Sequence, residues 1–565
     1  MADIYHSRQG VRDIPDICLQ HGITRVILCP GSRNASLILS FARYSSIECL
    51  SITDERSAGY FALGIAQYSQ EPVAVVCTSG TAALNLAPSM AEAFYQHIPL
   101  VVFTADRPRE WIDQADGQTI RQYKIFNNYC KASFEVPVKT TDSDDLWFFN
   151  RTISQAIDTA VQSPAGPVHI NVPQREPLYG SLPDHNSNPR IIRSTRSLPV
   201  LSSKEIASFK TRWKKFGKKL IVFGVQHKIE TLNSLAGQLA KRPDTAIIAE
   251  NLSNISGPEI IYALEPFFAS LNEDERKEFR PELLITVGVS IVSKRIKQFL
   301  RAYQPKEHWH ISTFDDYADT FKCLTTIIKA EPAGFLNELN DTTPVKTFVY
   351  ANLFREKKKV LALLHNNYIS NAGFCDMKVM AEVLAATPED GVVHLANSTP
   401  VRYAQLFQTR QDIIYYANRG TSGIDGCVST AAGSAFASER PTLIITGDLA
   451  FIYDSNALWN NFLKPDLKVV VINNNGGSIF SLIESGSEIE EIRHFFETPH
   501  RVSIRSLAEA YGVRFIHCDD IADLKNCLTE LFQAIGPVLL EIRTDQEQNI
   551  KAYKEYFHEL KQTSA

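Results

Sequence analysis

Short apolar runs alternate with longer stretches of helical spacing along most of the chain. The runs at 25–32 (RVILCPGS), 71–80 (EPVAVVCTSG) and 99–108 (PLVVFTADRP) are rich in valine, isoleucine and leucine, and each ends in small or polar residues. A stretch such as TAALNLAPSMAEAFYQ, at 81–96, follows with apolar positions three and four apart. Continuous apolar runs of this length suit strands buried on both faces, and their alternation with helices predicts βα units around parallel sheets. Ligands of such sheets bind beyond the carboxyl ends of the strands. Chemistry is therefore expected in the residues that follow each run.

The rhythm lapses over 173–199 (PQREPLYGSLPDHNSNPRIIRSTRSLP), where proline, serine and asparagine are dense, as in a linker. It resumes with KKLIVFGVQ, DTAIIAEN and ELLITVGVS, then fades around 338–346. A third block opens near Thr347 and carries DGVVHLANS, RPTLIITGDLA, LKVVVINNNGG and GPVLLEIRT. The pattern predicts an α/β protein of three α/β domains with parallel sheets, at 1–185, 186–346 and 347–565. The 565-residue length agrees with two to four domains.

Composition narrows the function classes. A formal net charge of -5 with scattered basic residues gives no field for nucleic acid. The N-terminus is too polar for a signal peptide, and no run of about 20 apolar residues predicts a membrane span. Ten cysteines lie between Cys18 and Cys527 without a CxxC pair. They are expected as reduced thiols of a cytoplasmic protein, not as a disulfide frame or a zinc site.

Two places in the third block point to one site. TLIITGDLAFIYD is an apolar strand running into Gly447 and Asp448, and the next strand ends in Asn473, Asn474, Asn475, Gly476 and Gly477. Neighbouring parallel strands bring these ends to one edge. A carboxylate, an amide oxygen and a backbone carbonyl are hard donors of the kind magnesium prefers, and Gly447 leaves room for a phosphate. Taken singly, each half also reads as a turn with a capping side chain.

The segment 447–477 (GDLAFIYDSNALWNNFLKPDLKVVVINNNGG) resembles the diphosphate-binding motif of thiamine-diphosphate enzymes. By that resemblance Asp448, the Asn474 side chain and the Gly476 carbonyl hold Mg2+ or Mn2+. Leu449 stands where the commonest form has glycine. The cofactor needs a carboxylate on its pyrimidine ring. In SITDERSAGYFALGIAQ, Asp54 or Glu55 reads as a helix-capping acid, whereas the resemblance assigns Glu55 to the pyrimidine. The three domains then become pyrimidine-binding, middle and diphosphate-binding. A homodimer or homotetramer with sites shared between chains is implied.

Cationic and polar residues at further strand ends suit anionic substrates: Ser32, Arg33, Arg107, Gln118, Arg121, Lys294, Arg295, Ser398, Arg402 and Arg419. Each arginine alone also fits a surface ion pair. The stretches PGSR, DERSAGYFALG, TSGTA, TADRP, QTIRQ, GPVHINVPQREPLYG, NRGTSGIDG, GDLAFIYDSNAL and NNNGGSIFSL, in this order, closely resemble the 2-succinyl-5-enolpyruvyl-6-hydroxy-3-cyclohexene-1-carboxylate synthase family of menaquinone biosynthesis. The resemblance implies decarboxylation of 2-oxoglutarate and addition of the resulting carbanion to isochorismate. It carries over Ser32, Arg33, Arg107, Gln118, Lys294, Arg295, Ser398, Arg402 and Arg419 as substrate contacts. Ile424, Ile479 and Phe480 are expected to shape the cofactor pocket. None of the 14 histidines is assigned a catalytic role. The alternative is another thiamine-diphosphate carboligase or decarboxylase, such as an acetolactate synthase.

Overall fold

The computed structural model describes residues 9–176, 178, 188–195, 197–344, 349–482 and 490–562. The expected domain boundaries at 185/186 and 346/347 fall outside these residues, as does part of the expected linker.

Three sheets form where the apolar runs lie. The first holds β1 (Arg25–Leu28), β2 (Glu48–Ser51), β3 (Val73–Cys77), β4 (Leu100–Asp106), β5 (Ala132–Glu135) and β6 (Val168–Pro173), in the order β2-β1-β3-β4-β6-β5. The second holds β7 (Lys219–Phe223), β8 (Thr245–Ala249), β9 (Leu283–Val287), β10 (Glu307–Ser312) and β11 (Thr326–Lys329), in the order β11-β10-β9-β7-β8. The third holds β12 (Val392–Leu395), β13 (Ile414–Tyr416), β14 (Thr442–Gly447), β15 (Leu467–Asn473), β16 (Arg514–Cys518) and β17 (Val538–Arg543), in the order β13-β12-β14-β15-β17-β16. Central strands such as β3, β4 and β15 are buried along their whole length, which explains why they read as unbroken apolar runs.

The first and third sheets follow the same order of strands. In each, the order reverses beside the first strand, between β1 and β3 and between β12 and β14. Such reversals open the crevice in which open α/β sheets bind ligands.

Contacts divide the chain into two compact units, and the division crosses the third block of sequence. One unit comprises Met1–Arg196, Asn418–Thr442 and Tyr453–Leu467; the other comprises Ser197–Ala417, Leu443–Ile452 and Lys468–Ala565. Within the first unit, helix Glu55–Ser69 packs along helix Cys427–Ala437. Two glycines permit the close approach. A Cβ on Gly64 would stand 1.9 Å from the Thr430 carbonyl oxygen, and one on Gly433 would stand 2.0 Å from that of Phe61. Ser57 and Ser429 share a hydroxyl hydrogen bond of 2.9 Å across the same contact.

Gly64→Ala tests this contact. Helix propensity alone favours alanine by about 1 kcal/mol. The clash here is with backbone, which cannot rotate away, and overpacking of this kind costs about 1–3 kcal/mol or more. The variant should melt at a lower temperature than the parent. An equal or higher melting temperature would show that the helices separate without cost.

Candidate functional site

In the first unit the turn after β2 decides between Asp54 and Glu55. Asp54 is the N-cap: its Oδ1 accepts the backbone N–H groups of Arg56 and Ser57 at 2.9 and 3.2 Å, and its Oδ2 accepts from Asn456 at 2.8 Å. Glu55 is the first helical residue, so its carboxyl group is not the cap. It is half-buried, and burial raises its pKa, with the Asp54 charge adding to the shift and its own backbone N–H opposing it. Burial also pushes up the Cys29 and Cys77 thiols, and the Glu55 charge adds to both. Cys29 directly follows β1 and Cys77 ends β3, so Glu55 stands at the crevice of the first sheet.

Cationic candidates of this unit are brought together by an acid. Arg33 is buried, with 5% exposure, and donates to Glu176 Oε1 at 3.1 Å. Arg107 reaches the same oxygen at 3.4 Å and pairs with Asp116 at 3.0 Å. Ser32 is exposed beside Arg33, and Gln118 is exposed with a left-handed backbone, φ 57°. Arg121 lies apart, exposed and paired with Asp113 at 2.8 Å. The segment after Asn418 is anchored by the buried Glu92, which accepts the N–H groups of Gly420 and Thr421, each at 2.7 Å. Arg419 and Ile424 on this segment are half-buried.

In the second unit Asp448 is buried at the end of β14. Its Oδ1 accepts the Leu449 N–H at 2.7 Å, and its Oδ2 accepts the Gly476 N–H at 2.8 Å. His500 Nε2 stands 3.1 Å from the same Oδ2, and this bond raises the imidazole pKa. The three asparagines at the end of β15 have different work. Asn473 donates to Glu541 at 2.7 Å and accepts the Asn475 N–H at 3.0 Å. Asn474 donates to Asp376 Oδ2 at 2.8 Å. Asn475 takes the left-handed conformation, φ 64°. Gly476 is required as glycine: at φ 140° a Cβ would meet the Glu497 carbonyl oxygen at 2.4 Å.

Asp376 is the residue that sequence reasoning missed. It opens helix Asp376–Ala386, with no motif around it. Its Oδ1 accepts from Thr544 at 2.6 Å and Asn549 at 2.9 Å, leaving Oδ2 for Asn474. Burial pushes its carboxyl up to about 6; three hydrogen bonds pull it down and the nearby Asp448 charge raises it. His500, Glu176 and Glu92 were missed for the same reason, because only the folded chain reveals their partners.

These residues fit a divalent cation carrying phosphates. Asp376 holds the Asn474 NH2 on its own side, which turns the amide oxygen away from that carboxylate. A carboxylate, an amide oxygen and a glycine carbonyl are hard donors. Among the described residues, its two chain neighbours aside, none has an atom within 4 Å of a Cβ placed on Gly447, which leaves space for a bulky anion beside Asp448. Leu449 and Ile479 are half-buried, while Phe480 is exposed and packs edge-on against Phe496 at 5.5 Å.

The remaining candidates of this unit lie on two helix starts. Lys294 and Arg295 open helix Lys294–Ala302, where cations oppose the helix dipole. Glu265 offsets this by accepting the Lys294 N–H at 2.5 Å and facing the Arg295 guanidinium at 3.6 Å. Ser398 occupies the N-cap position of helix Thr399–Ala404 without a side-chain capping hydrogen bond, at φ 77°, a strained value for a serine. Arg402 is half-buried on that helix, and its buried Nε has no hydrogen-bond partner.

A carboxylate at the crevice of one sheet and hard oxygen donors at the strand ends of another have the chemistry of a thiamine-diphosphate enzyme. Residues 8–125 match the N-terminal TPP-binding domain of thiamine pyrophosphate enzymes, 269–395 the middle domain and 398–542 the C-terminal TPP-binding domain. Proteins named 2-succinyl-5-enolpyruvyl-6-hydroxy-3-cyclohexene-1-carboxylate synthase are similar over nearly their whole length. That of Flavobacterium johnsoniae is 39% identical over 562 residues, covering 99% of this chain and 100% of the relative. That of Porphyromonas gingivalis is 39% identical over 568 residues, covering 98% and 97%. That of Flavobacterium psychrophilum is 38% identical over 557 residues, covering 99% and 100%. The chain belongs to the 2-succinyl-5-enolpyruvyl-6-hydroxy-3-cyclohexene-1-carboxylate synthase family. Thiamine diphosphate is its cofactor. No described helix is long and apolar enough to cross a membrane.

Two outcomes test the site. A carboxyl group whose pKa is raised by folding contributes stability at low pH that is lost as pH rises through the folded value. Glu55→Gln removes that loss. The cofactor-free variant should melt above the parent at neutral pH, with the difference shrinking below the ordinary glutamate range; a constant difference would exclude a strained carboxyl. Asp376→Ala should weaken Mg2+- or Mn2+-dependent binding of thiamine diphosphate about 10–100-fold, the usual effect of losing a group that orients a metal ligand. Calorimetry showing equal affinity would separate Asp376 from the metal site.

Proposed function

We propose that this chain decarboxylates 2-oxoglutarate and adds the resulting carbanion to isochorismate, giving 2-succinyl-5-enolpyruvyl-6-hydroxy-3-cyclohexene-1-carboxylate for menaquinone biosynthesis. The observation that carries this is the pairing of a half-buried Glu55 that is not spent as a cap with an Asp448–Asn474–Gly476 cluster, in a chain so similar to enzymes of that name. Thiamine diphosphate, when bound, supplies a carbon nucleophile and an electron sink for decarboxylation of a 2-oxo acid.

Glu55 holds a proton at the pyrimidine nitrogen, for which a raised pKa is an advantage. Asp448, Asn474 and the Gly476 carbonyl hold Mg2+ or Mn2+, and Gly447 and Leu449 border the diphosphate. Ile424, Ile479 and Phe480 form apolar walls that exclude water. Ser32, Arg33, Arg107, Gln118, Lys294, Arg295, Ser398, Arg402 and Arg419 bind the substrate carboxylates and hydroxyls. Glu176, shared by Arg33 and Arg107, is the internal counter-ion that a substrate carboxylate replaces. The domains serve as pyrimidine-binding (1–185), middle (186–346) and diphosphate-binding (347–565). The enzyme works in the cytoplasm as a homodimer or homotetramer, each cofactor shared by two chains.

The protein with thiamine diphosphate, Mg2+ and 2-oxoglutarate should form the adduct only when isochorismate is added. Glu55→Gln should lower turnover about 10²–10⁴-fold, the range for a lost proton-transfer partner. Faster turnover of pyruvate than of 2-oxoglutarate would instead favour an acetolactate-synthase-like enzyme.

A further inference from the structure

The middle sheet carries a cluster that the chemistry above does not use. His308 lies on β10, and Asp319 and Cys323 lie on the loop between β10 and β11. One ligand atom from each falls within 4.8 Å of the others, the one such grouping of three among the described residues. We propose that His308, Asp319 and Cys323 form a site for a soft divalent cation, zinc foremost, that pins this loop to the middle sheet.

The spacing agrees with shared coordination. Zinc takes sulfur at about 2.3 Å and nitrogen at about 2.0–2.1 Å, so two such ligands on a tetrahedral ion stand about 3.5–3.6 Å apart. Cys323 Sγ and His308 Nδ1 stand 3.6 Å apart. A thiol–imidazole hydrogen bond alone has the same spacing, so the surroundings decide. His308 is buried, so little water competes for its ring nitrogens.

The tautomer follows from a chain of hydrogen bonds. His310 Nε2 faces the Asp316 carboxylate at 3.3 Å, so that nitrogen carries the proton. His310 Nδ1 then accepts from the Thr286 hydroxyl at 2.9 Å. Thr286 has no second proton to give, so it accepts from His308 Nε2, also at 2.9 Å. His308 Nδ1 is left with its lone pair toward Cys323. Metal-binding histidines are commonly fixed through their other nitrogen in this way. The third ligand is held in place as well: Asp319 Oδ1 accepts the N–H groups of Cys323 and Leu324 at 2.9 and 3.2 Å. Cys323 binds as the thiolate, its proton passing to solvent when the cation is taken up. Water completes the four ligands.

The full chain, tag-free and stripped with chelator, is titrated with Co2+ and separately with Zn2+. One Co2+ per chain should give a thiolate-to-cobalt absorption band, reversed by Zn2+ and untouched by excess Mg2+. Cys323→Ser should lose the band. Thr286→Val should keep it while binding about 10–100-fold more weakly, as expected for a group that orients a ligand. No band in the parent chain, or an equal band in Cys323→Ser, would overturn the site. Circular dichroism confirms that both variants are folded, and Asp319→Asn, at an exposed position, supplies the same test by weakened Co2+ affinity if Cys323→Ser does not fold.

Discussion

Two carboxylates, Asp376 and Asp448, are buried within reach of each other's charge. An ionised carboxylate away from water is tolerated only with hydrogen bonds and a counter-charge. The local structure answers that demand. Asp376 is surrounded by Thr544, Asn549 and Asn474, and Asp448 takes two backbone N–H groups and His500. The tight turn at Asn475 and Gly476 is what carries one of those N–H groups to Asp448. The divalent cation proposed for this edge would complete the balance, and the charge that makes the edge costly to fold would then also make it selective for its ligand.

Much of this was legible in the sequence. The strands announced themselves because burial on both faces leaves few polar positions; strand ends one βα unit apart brought Asp448 and the asparagine run to one edge, and the family resemblance singled out Asn474. The resemblance chose Glu55 over Asp54, but which of the two caps the helix needed the turn itself, where Asp54 proves to be the cap. Asp376 was invisible, because a carboxylate at the start of an ordinary helix has no local signature and its partners lie about 100 residues or more away along the chain. The arginines were legible as strand-end cations, but their company was not: Arg33 and Arg107 share Glu176, whereas Arg121 is held by Asp113 on the surface.

The first and third sheets put one topology to two uses. Both reverse their order beside the first strand, yet one presents a carboxylate raised by burial and the other a set of oxygen donors. Side chains at the strand ends make this difference, in keeping with function residing in sites placed on a shared scaffold. The middle sheet, read from its other edge as β8-β7-β9-β10-β11, reverses in the same way between β7 and β9, but its strand ends carry neither of these sets of residues.

The glycine contact between helices Glu55–Ser69 and Cys427–Ala437 also bears on how the chain is made. The earlier helix is complete at residue 69, but the face bearing Gly64 meets its partner only after residue 427 has been synthesised. At about 5–20 residues per second, that interval is roughly 20–70 s. Throughout it the first sheet can form while one of its helices still presents an apolar, close-packing surface. The nascent chain is thus exposed to mispairing, for that whole interval, at the helix that carries Glu55.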